Sequence, residues 1–415
     1  MPTRILHIST RLILGGSQEN TILSCEGQAR LGHDVHLAYG PIFGPEGSML
    51  ERARAFRTDD GRQITLHELP NMVRELNPLK DHFCFHRDLK NLMRDVQPDV
   101  VHTHSSKAGV LGRWAAWKHA HEGARPAVVH TIHGPPFMPV EGGALGRAKI
   151  GLTNKIYEIA EKFAAKRCHT IVSVADAMTE QFLMRGIGTP GLYTTVRSGM
   201  EIEPYLSAEE GESRSEIRGE LGLSESDFVI GTVARLAQHK GHDDILDALS
   251  DKLRDHPDWK LLWVGDGWWR DRLLAKASEL GVRAQLVATG LVEPGRVPGM
   301  IRAMDVLAHP SYREGLPRTV PQALLTGVCP VAYDSDGTRE ACRHEETGLL
   351  VERGDIKGLR DCVARVYDDP ELRTRLAEHG RDWCKAEFAA KTMVARLEDV
   401  YRGAMVLAGR AGCAG

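Results

Sequence analysis

Short, nearly unbroken apolar runs alternate with longer segments of helical period along almost the whole chain, and that alternation sets the fold class. Arg4–Ser9, Val35–Tyr39, Asp99–Thr103, Ala127–Ile132, Thr170–Val174 and Leu192–Val196 read as strands of a first half. Phe228–Ala234, Lys260–Gly265 and Val306–Ala308 read as strands of a second. Among them the pattern predicts an amphipathic helix that ends at Leu31 before Gly32, and helices over Arg147–Lys166, Asp176–Arg185, Lys240–Leu253 and from Asp355 to about Leu407. Buried strands each followed by a helix are what a parallel, doubly wound sheet needs, since its two faces must both be covered. The expectation is an α/β chain with two Rossmann-like halves.

With 415 residues, one core is an unlikely size and two domains are the natural division. After Met200 the segment EIEPYLSAEEGESRSEIRGE is acidic, Ser-rich and poor in large apolar residues. It is assigned as the interdomain connection, with one helix over Ser213–Leu221. The resulting division is 1–200, a connection at 201–222, a second domain at 223–388, and a C-terminal helix with a mobile GRAGCAG tail at 389–415.

A formal charge of −3 gives no reason to expect nucleic acid as a partner. Eight cysteines without a CxxC pair indicate neither a disulfide framework nor a zinc ribbon, which points to reduced thiols and a cytoplasmic setting. MPTRILHISTRL has no long apolar core, and no run reaches 18 apolar residues, so the expectation is a soluble chain or one bound peripherally to a membrane. The cations of residues 70–97, among them Arg74, Lys80, Arg87, Lys90 and Arg94, read as a solvated helix face, with a lipid-binding surface as the alternative.

Candidate chemistry concentrates in His309–Pro330, HPSYREGLPRTVPQALLTGVCP. A short strand leads through the tight loop Gly315-Leu316-Pro317 to an apolar helical face, with Glu314 in the loop; free N–H groups at such a helix start suit an anion, and a carboxylate beside it suits hydroxyls. Thr319 and Gln322 also fit a capping box, so Gln322 has a purely structural reading. In RLAQHKG, Lys240 at a helix start opposes the macrodipole unless something negative binds, and Arg235 lies close enough in sequence to share a phosphate with it; two solvated cations are the alternative. Near the N-terminus, Gly15-Gly16 follows a strand and Ser17 is placed to cap the next helix. His102, His104, His130 and His133 gather at strand ends, but without Cys, Asp or Glu at ligand spacing they do not read as a metal site. Trp268 and Trp269 read as packing residues.

These motifs together resemble the retaining glycosyltransferases of family 4, which have the GT-B fold: two Rossmann-like doubly wound domains facing a central cleft. The resemblance covers nearly the whole chain and departs at one point, since Gln322 stands where the family usually has the second Glu of its Glu-x7-Glu motif. It implies that Glu314 contacts the donor sugar, with Gly315 and Leu316 beside it, and that Gln322 meets the ribose through an uncharged amide. It implies further that Arg235 and Lys240 hold the donor diphosphate, that the Gly15-Gly16 loop lies against it, that His133 of HTIHG meets the sugar near its C6 hydroxyl, and that Glu340 of DGTRE lies by the nucleotide. The implied activity is metal-independent transfer of a hexosyl group from a UDP- or GDP-sugar, with no cofactor, to a glycan or lipid-linked acceptor, as in cell-surface polysaccharide synthesis. The alternatives are a GT-B protein that binds a nucleotide sugar without transferring it, and a GT-B epimerase.

Overall fold

The computed structural model describes residues 2–42, 47–75, 77–119, 125–134, 137 and 144–410. Part of the Gly40–Gly47 loop, Pro135 and Pro136, and residues 411–415 of the GRAGCAG tail lie outside the described residues. The chain divides into two units, Met1–Met200 with Ala390–Gly415, and Glu201–Ala389.

The first unit is built on a seven-stranded sheet of β1 (Arg4–Ser9), β2 (Asp34–Tyr39), β3 (Thr65–Glu68), β4 (Val100–His104), β5 (Ala127–Ile132), β6 (Thr170–Ser173) and β7 (Tyr193–Thr195). Its order is β3-β2-β1-β4-β5-β6-β7, and every pairing is parallel. The second unit has six strands, β8 (Phe228–Val233), β9 (Trp259–Val264), β10 (Leu286–Gly290), β11 (Val306–His309), β12 (Cys329–Asp334) and β13 (Leu349–Glu352). They follow the order β10-β9-β8-β11-β12-β13, again all parallel. Counted from its own first strand, each sheet runs 3-2-1-4-5-6 across its first six strands. In that order the strand sequence reverses between β1 and β4 and between β8 and β11, and the crevices outside those carboxyl ends are where such sheets bind ligands.

Four strands escape the hydrophobic pattern: β3, β10, β12 and β13. β3 is a four-residue edge strand, TLHE, with no buried residue. β12 is fully buried except for its last residue but carries Pro330, which punctuates the run. Parallel pairing on both sides through its other residues tolerates that proline.

The helix Gly16–Arg30 is not the two-faced helix that its sequence suggests. Asn20, Thr21, Ser24, Glu26 and Gln28 are buried along with its apolar residues. The cause is a second cover. The C-terminal helix Ala390–Leu407 packs Val394, Leu397, Val400 and Tyr401 into one cluster with Ile5, Leu23, Val100 and Val129. A Cβ on Gly27 would come within 2.4 Å of Val394, so the two helices meet at a distance that only glycine allows there.

The acidic segment 201–222 is not a free connection. Arg214–Glu220 is a helix with a complete Ser213–Glu216 capping box, and it is bolted to the second unit from its other side. Arg218, fully buried, donates to the carbonyls of Ala303, Ser224, Glu225 and Asp227 and pairs with Asp305 at 2.7 Å; Arg214 takes the other Asp305 oxygen at 2.6 Å. The composition reflects the solvent face of this helix, whereas its two arginines supply the attachment. The chain passes from one unit to the other at Met200–Glu201 and Ala389–Ala390. Arg218→Met should therefore destabilise the protein by about 3 kcal/mol, because it strands several carbonyls and leaves Asp305 with Arg214 as its remaining side-chain cation. Urea unfolding measures this, and an unchanged midpoint would mean that the segment is only a connection.

Candidate active site

In the second unit, the loops that leave the carboxyl ends of β8, β11 and β12 converge on one carboxylate. Glu314, in the loop after β11, takes the Lys240 ammonium at 2.6 Å and His309 Nε2 at 3.2 Å on the same oxygen. Its backbone N–H donates to Asp336 Oδ2 at 2.9 Å. His309 is in turn held by Thr319 Oγ1, 3.2 Å from Nδ1. Burial pushes the Glu314 carboxyl up, but Lys240 and His309 outweigh burial and hold it far below the usual carboxylate range.

Two further links fix Lys240 against this loop. Tyr312 N–H donates to the His239 carbonyl at 2.8 Å, and the hydroxyls of Tyr312 and Tyr333 both donate to Asp244 Oδ2 at 2.7 Å, in the first turn of the helix His242–Asp255. Between the Lys240 turn and that helix, Gly241 has φ +71°, and a Cβ there would fall 2.0 Å from the Pro310 carbonyl oxygen. Only glycine permits both the turn and the close approach. Burial and the neighbouring Lys240 push the His242 imidazole down to about 3, so His242 adds no positive charge to this helix start near neutral pH.

In the first unit, the equivalent strand ends border a cavity of about 410 Å³ lined by Ser17, Ser105, His130, Thr131, His133 and Glu161, among others. His133 accordingly lies on a cavity wall with Ser17 from the glycine loop. Behind this wall His7, His102 and His104 are buried with ring nitrogens within 4.8 Å of one another. Both nitrogens of each ring are engaged in hydrogen bonds: His7 with Gln28 and His104, His102 with Tyr401 and Thr131, His104 with His7 and His133. Burial pushes the His7 imidazole down to about 4 and those of His102, His104 and His130 well below the ordinary value. The cluster is a neutral hydrogen-bonded network.

The family "Glycosyl transferases group 1" matches residues 213–383 and "Glycosyltransferase Family 4" matches residues 14–190, which together span most of the chain. The chain belongs to the group 1, family 4 glycosyltransferases. It is 27% identical over 337 residues to the UDP-Gal:alpha-D-GlcNAc-diphosphoundecaprenol alpha-1,3-galactosyltransferase of Escherichia coli, covering 80% of this chain and 82% of that protein. It is 21% identical to the capsular polysaccharide biosynthesis glycosyltransferase CapM of Staphylococcus aureus, over 83% of this chain and 88% of that one. The fold matches that of Anabaena HepE, solved in complex with UDP-glucose, with a TM-score of 0.74 at 19% identity, over 96% of this chain and 99% of that one. The glycosyltransferase thus has the GT-B fold.

Of the residues singled out by sequence, the glycosyltransferase brings Glu314 and Lys240 into direct contact, with Gly315 and the buried Leu316 following in the same loop. The negative group facing Lys240 is thus Glu314 itself. Arg235 stands exposed after β8, its guanidinium 5.8 Å from the ring of Trp268, which is 67% exposed and so no core residue; Trp269 packs against the core. Glu340 closes the 3₁₀ turn Asp336–Glu340. The capping box at Thr319 and Gln322 does not form: the cap position of Thr319–Leu325 is Arg318, without a side-chain cap bond, and Thr319 turns to His309 instead. Ser17 likewise does not cap its helix. The cap position is Gly15, Gly16 is the first helical residue, and Ser17 bonds Gln18 at 2.8 Å.

Sequence reading assigned no role to His309, Asp336 or the Tyr312–Asp244–Tyr333 set, although His309 opens the very stretch that drew attention. A polar residue ending an otherwise apolar strand was the available signal. Replacing Lys240 with Met leaves Glu314 buried and uncompensated. We expect Lys240→Met to cost roughly 2–3 kcal/mol at pH 7 and Glu314→Gln added to it to recover most of that loss. Because the pair depresses the Glu314 pKa, its contribution is present above the ordinary glutamate range and disappears as pH falls through the lowered native value; the single variant's deficit should therefore shrink in acid. Urea unfolding at a series of pH values checks both statements.

Proposed function

We propose that this glycosyltransferase moves a hexosyl group from a nucleotide-diphosphate sugar, UDP- or GDP-linked, to a glycan or lipid-linked acceptor in cell-surface polysaccharide synthesis, with retention of anomeric configuration and without a metal. The observation that carries the reading is the Lys240–Glu314 pair at the point of the second sheet where strand order reverses. A donor diphosphate offers Lys240 more negative charge than one carboxylate does. Its arrival would draw the ammonium to phosphate, with Arg235 as second cation, and release Glu314 to accept hydrogen bonds from sugar hydroxyls. The ligand-free ion pair thus holds both groups ready.

In the transfer, the bond from the anomeric carbon to the phosphate oxygen breaks and a bond to the acceptor oxygen forms on the same face. The acceptor proton passes to the departing phosphate, so no protein group need form a covalent intermediate. Lys240 and Arg235 stabilise the charge that develops on the leaving group. Glu314 and His133 orient the sugar, Gly15 and Gly16 allow backbone to approach the donor, and Gln322 and Glu340 serve the nucleotide. The acceptor named for the Escherichia coli relative, a diphosphoundecaprenol-linked sugar, supports a lipid-linked acceptor here.

Peripheral membrane contact belongs to the same reading. Among the described residues no helix is long and apolar enough to cross a membrane. On the helix Ala144–Ala165, however, Leu152, Ile156 and Ile159 form an exposed stripe, at 65%, 45% and 59% exposure, with the exposed cations Arg147, Lys149 and Lys155 on the same helix. In the 70–97 region Leu79 and Phe83 are exposed, but Phe85, Leu89, Leu92 and Met93 are turned inward, so the stripe on Ala144–Ala165 is the surface assigned to an anionic bilayer.

A panel of UDP- and GDP-sugars with EDTA present, read by thermal shift and by slow release of free nucleotide, tests the donor assignment. One donor should stabilise the protein and be hydrolysed, and Lys240→Ala should lower turnover by about 10²-fold. Loss of all binding or hydrolysis in EDTA would overturn the metal-free reading, and full activity in the variant would overturn the phosphate role. For the membrane contact, co-sedimentation with vesicles containing phosphatidylglycerol should be strong for the native chain and weak for Ile156→Asp. Equal binding of the two, or equal binding to purely zwitterionic vesicles, would remove this surface from the account.

A further inference from the structure

In a nucleotide sugar the hexose, the diphosphate and the nucleoside follow one another in line. The groups assigned to the first two stand on neighbouring strand ends of the second unit: Glu314 after β11, and Arg235 with Lys240 after β8. Strands of a sheet lie about 4.8 Å apart, and on the far side of β8 from β11 the next strand is β9. The loop that leaves β9 carries Trp268, whose indole is 67% exposed. That loop is built against the one that carries Arg235. Ala234 N–H donates to the Val264 carbonyl at 3.1 Å, Leu236 N–H donates to the Asp266 carbonyl at 3.0 Å, and Trp269 N–H donates to the Leu236 carbonyl at 3.2 Å. Both chain neighbours of Arg235 are thereby tied to residues 264–269. Two glycines permit the approach: a Cβ on Gly265, at φ +130°, would fall 2.3 Å from the Ala234 carbonyl oxygen, and one on Gly267 would fall 2.3 Å from that of Leu236. The Trp268 ring is set in this way 5.8 Å from the Arg235 guanidinium. The packing role falls to its neighbour: Trp269 lies against the core, with the Arg272 guanidinium 4.2 Å from its ring.

We propose that Trp268 is the platform on which the base of the donor nucleotide stacks, and hence a residue that sets donor affinity. This rests on the donor reading of Lys240, Arg235 and Glu314. A rigid, open indole face gains by being covered, and every nucleobase has a π face that covers it, so the stack holds the base without choosing among bases. The cation beside the ring answers the other part of the same ligand, since Arg235 faces phosphate charge while the indole faces the base. A neutral sugar stacked on Trp268 would give that guanidinium no anion. The loop after β10 adjoins this one through the Gly265 N–H to Gly290 carbonyl bond at 3.0 Å, and there Leu291, 82% exposed, adds a second open apolar side chain.

Titration of the full chain with UDP and with GDP, read by calorimetry and by tryptophan fluorescence, tests the stack. The native protein should bind at least one of them, with indole emission quenched as the base covers the ring. Trp268→Ala should weaken that binding at least about fivefold, and Trp268→Phe should restore most of the affinity while losing the quench. The side chain is exposed, so both variants should keep the native urea midpoint. A ring that acts only by holding Arg235 is told apart in the Arg235→Ala background. There, Trp268→Ala should still cost about the same factor, and no further loss would overturn the stack. Equal affinity of the native protein and Trp268→Ala, or a quench retained in Trp268→Phe, also overturns it and leaves the donor site standing. Absence of UDP and GDP binding to the native chain overturns the donor reading and the stack together.

Discussion

A carboxylate that is largely buried must have a cation beside it, and the geometry of the second unit follows from satisfying Glu314. Its partner Lys240 comes from a different strand–helix connection, so the loops after β8 and β11 have to meet. The Tyr312 N–H to His239 carbonyl bond and the shared Asp244 carboxylate hold them together, and Gly241 lets the backbones touch. Asp336 then approaches from a third loop, with its carboxylate bonded to the Glu314 backbone N–H, while Lys240 faces the Glu314 side chain at ion-pair distance. Under the proposed function this is an anion site whose cation is fixed in place before any ligand arrives. Its cost is that a ligand must displace an internal counterion, which only a group of higher charge does with a net gain.

The first unit solves the opposite problem with the same topology. Its strand ends gather histidines instead of an ion pair, and burial without a carboxylate partner keeps those rings neutral. Neutral rings can be buried at little cost only when each donor finds an acceptor, and a chain of imidazoles does this in a head-to-tail manner. Two equivalent crevices, each outside the point where strand order reverses, thus present different chemistry. One gathers a buried ion pair, the other a set of neutral imidazoles.

The strand–helix alternation was legible because a doubly wound parallel sheet writes each central strand as an apolar run. β1 and β5 match their sequence-derived bounds for that reason, while edge strand β3, with no fully buried residue, left no such trace. The Glu314 and Lys240 positions were legible through loop and helix-start chemistry, although each was judged in isolation and their direct pairing was not visible. Caps failed for a common reason. Thr319 and Ser17 were assigned by local spacing, whereas Thr319 turns to His309 and Ser17 to Gln18, leaving Arg318 and Gly15 at the cap positions. The segment 201–222 misled because composition reports the solvent face of a helix, and the two arginines that anchor it are a small part of that composition.

The buried polar residues of Gly16–Arg30 carry the last step of this argument. A helix with Asn20, Ser24, Glu26 and Gln28 inside is a poor choice for a simple cover over a sheet, since each buried polar group needs its own partner. The C-terminal helix changes that balance: Tyr401 takes the Gln28 amide, and Met393 sulfur takes the Asn20 amide at 3.1 Å. These residues are tolerable only because a second helix, arriving from residues almost four hundred positions later in sequence, completes them. The return of the chain end to its first unit is therefore built into the composition of the first helix, and through Gln28 the same contact reaches the histidines that border the cavity.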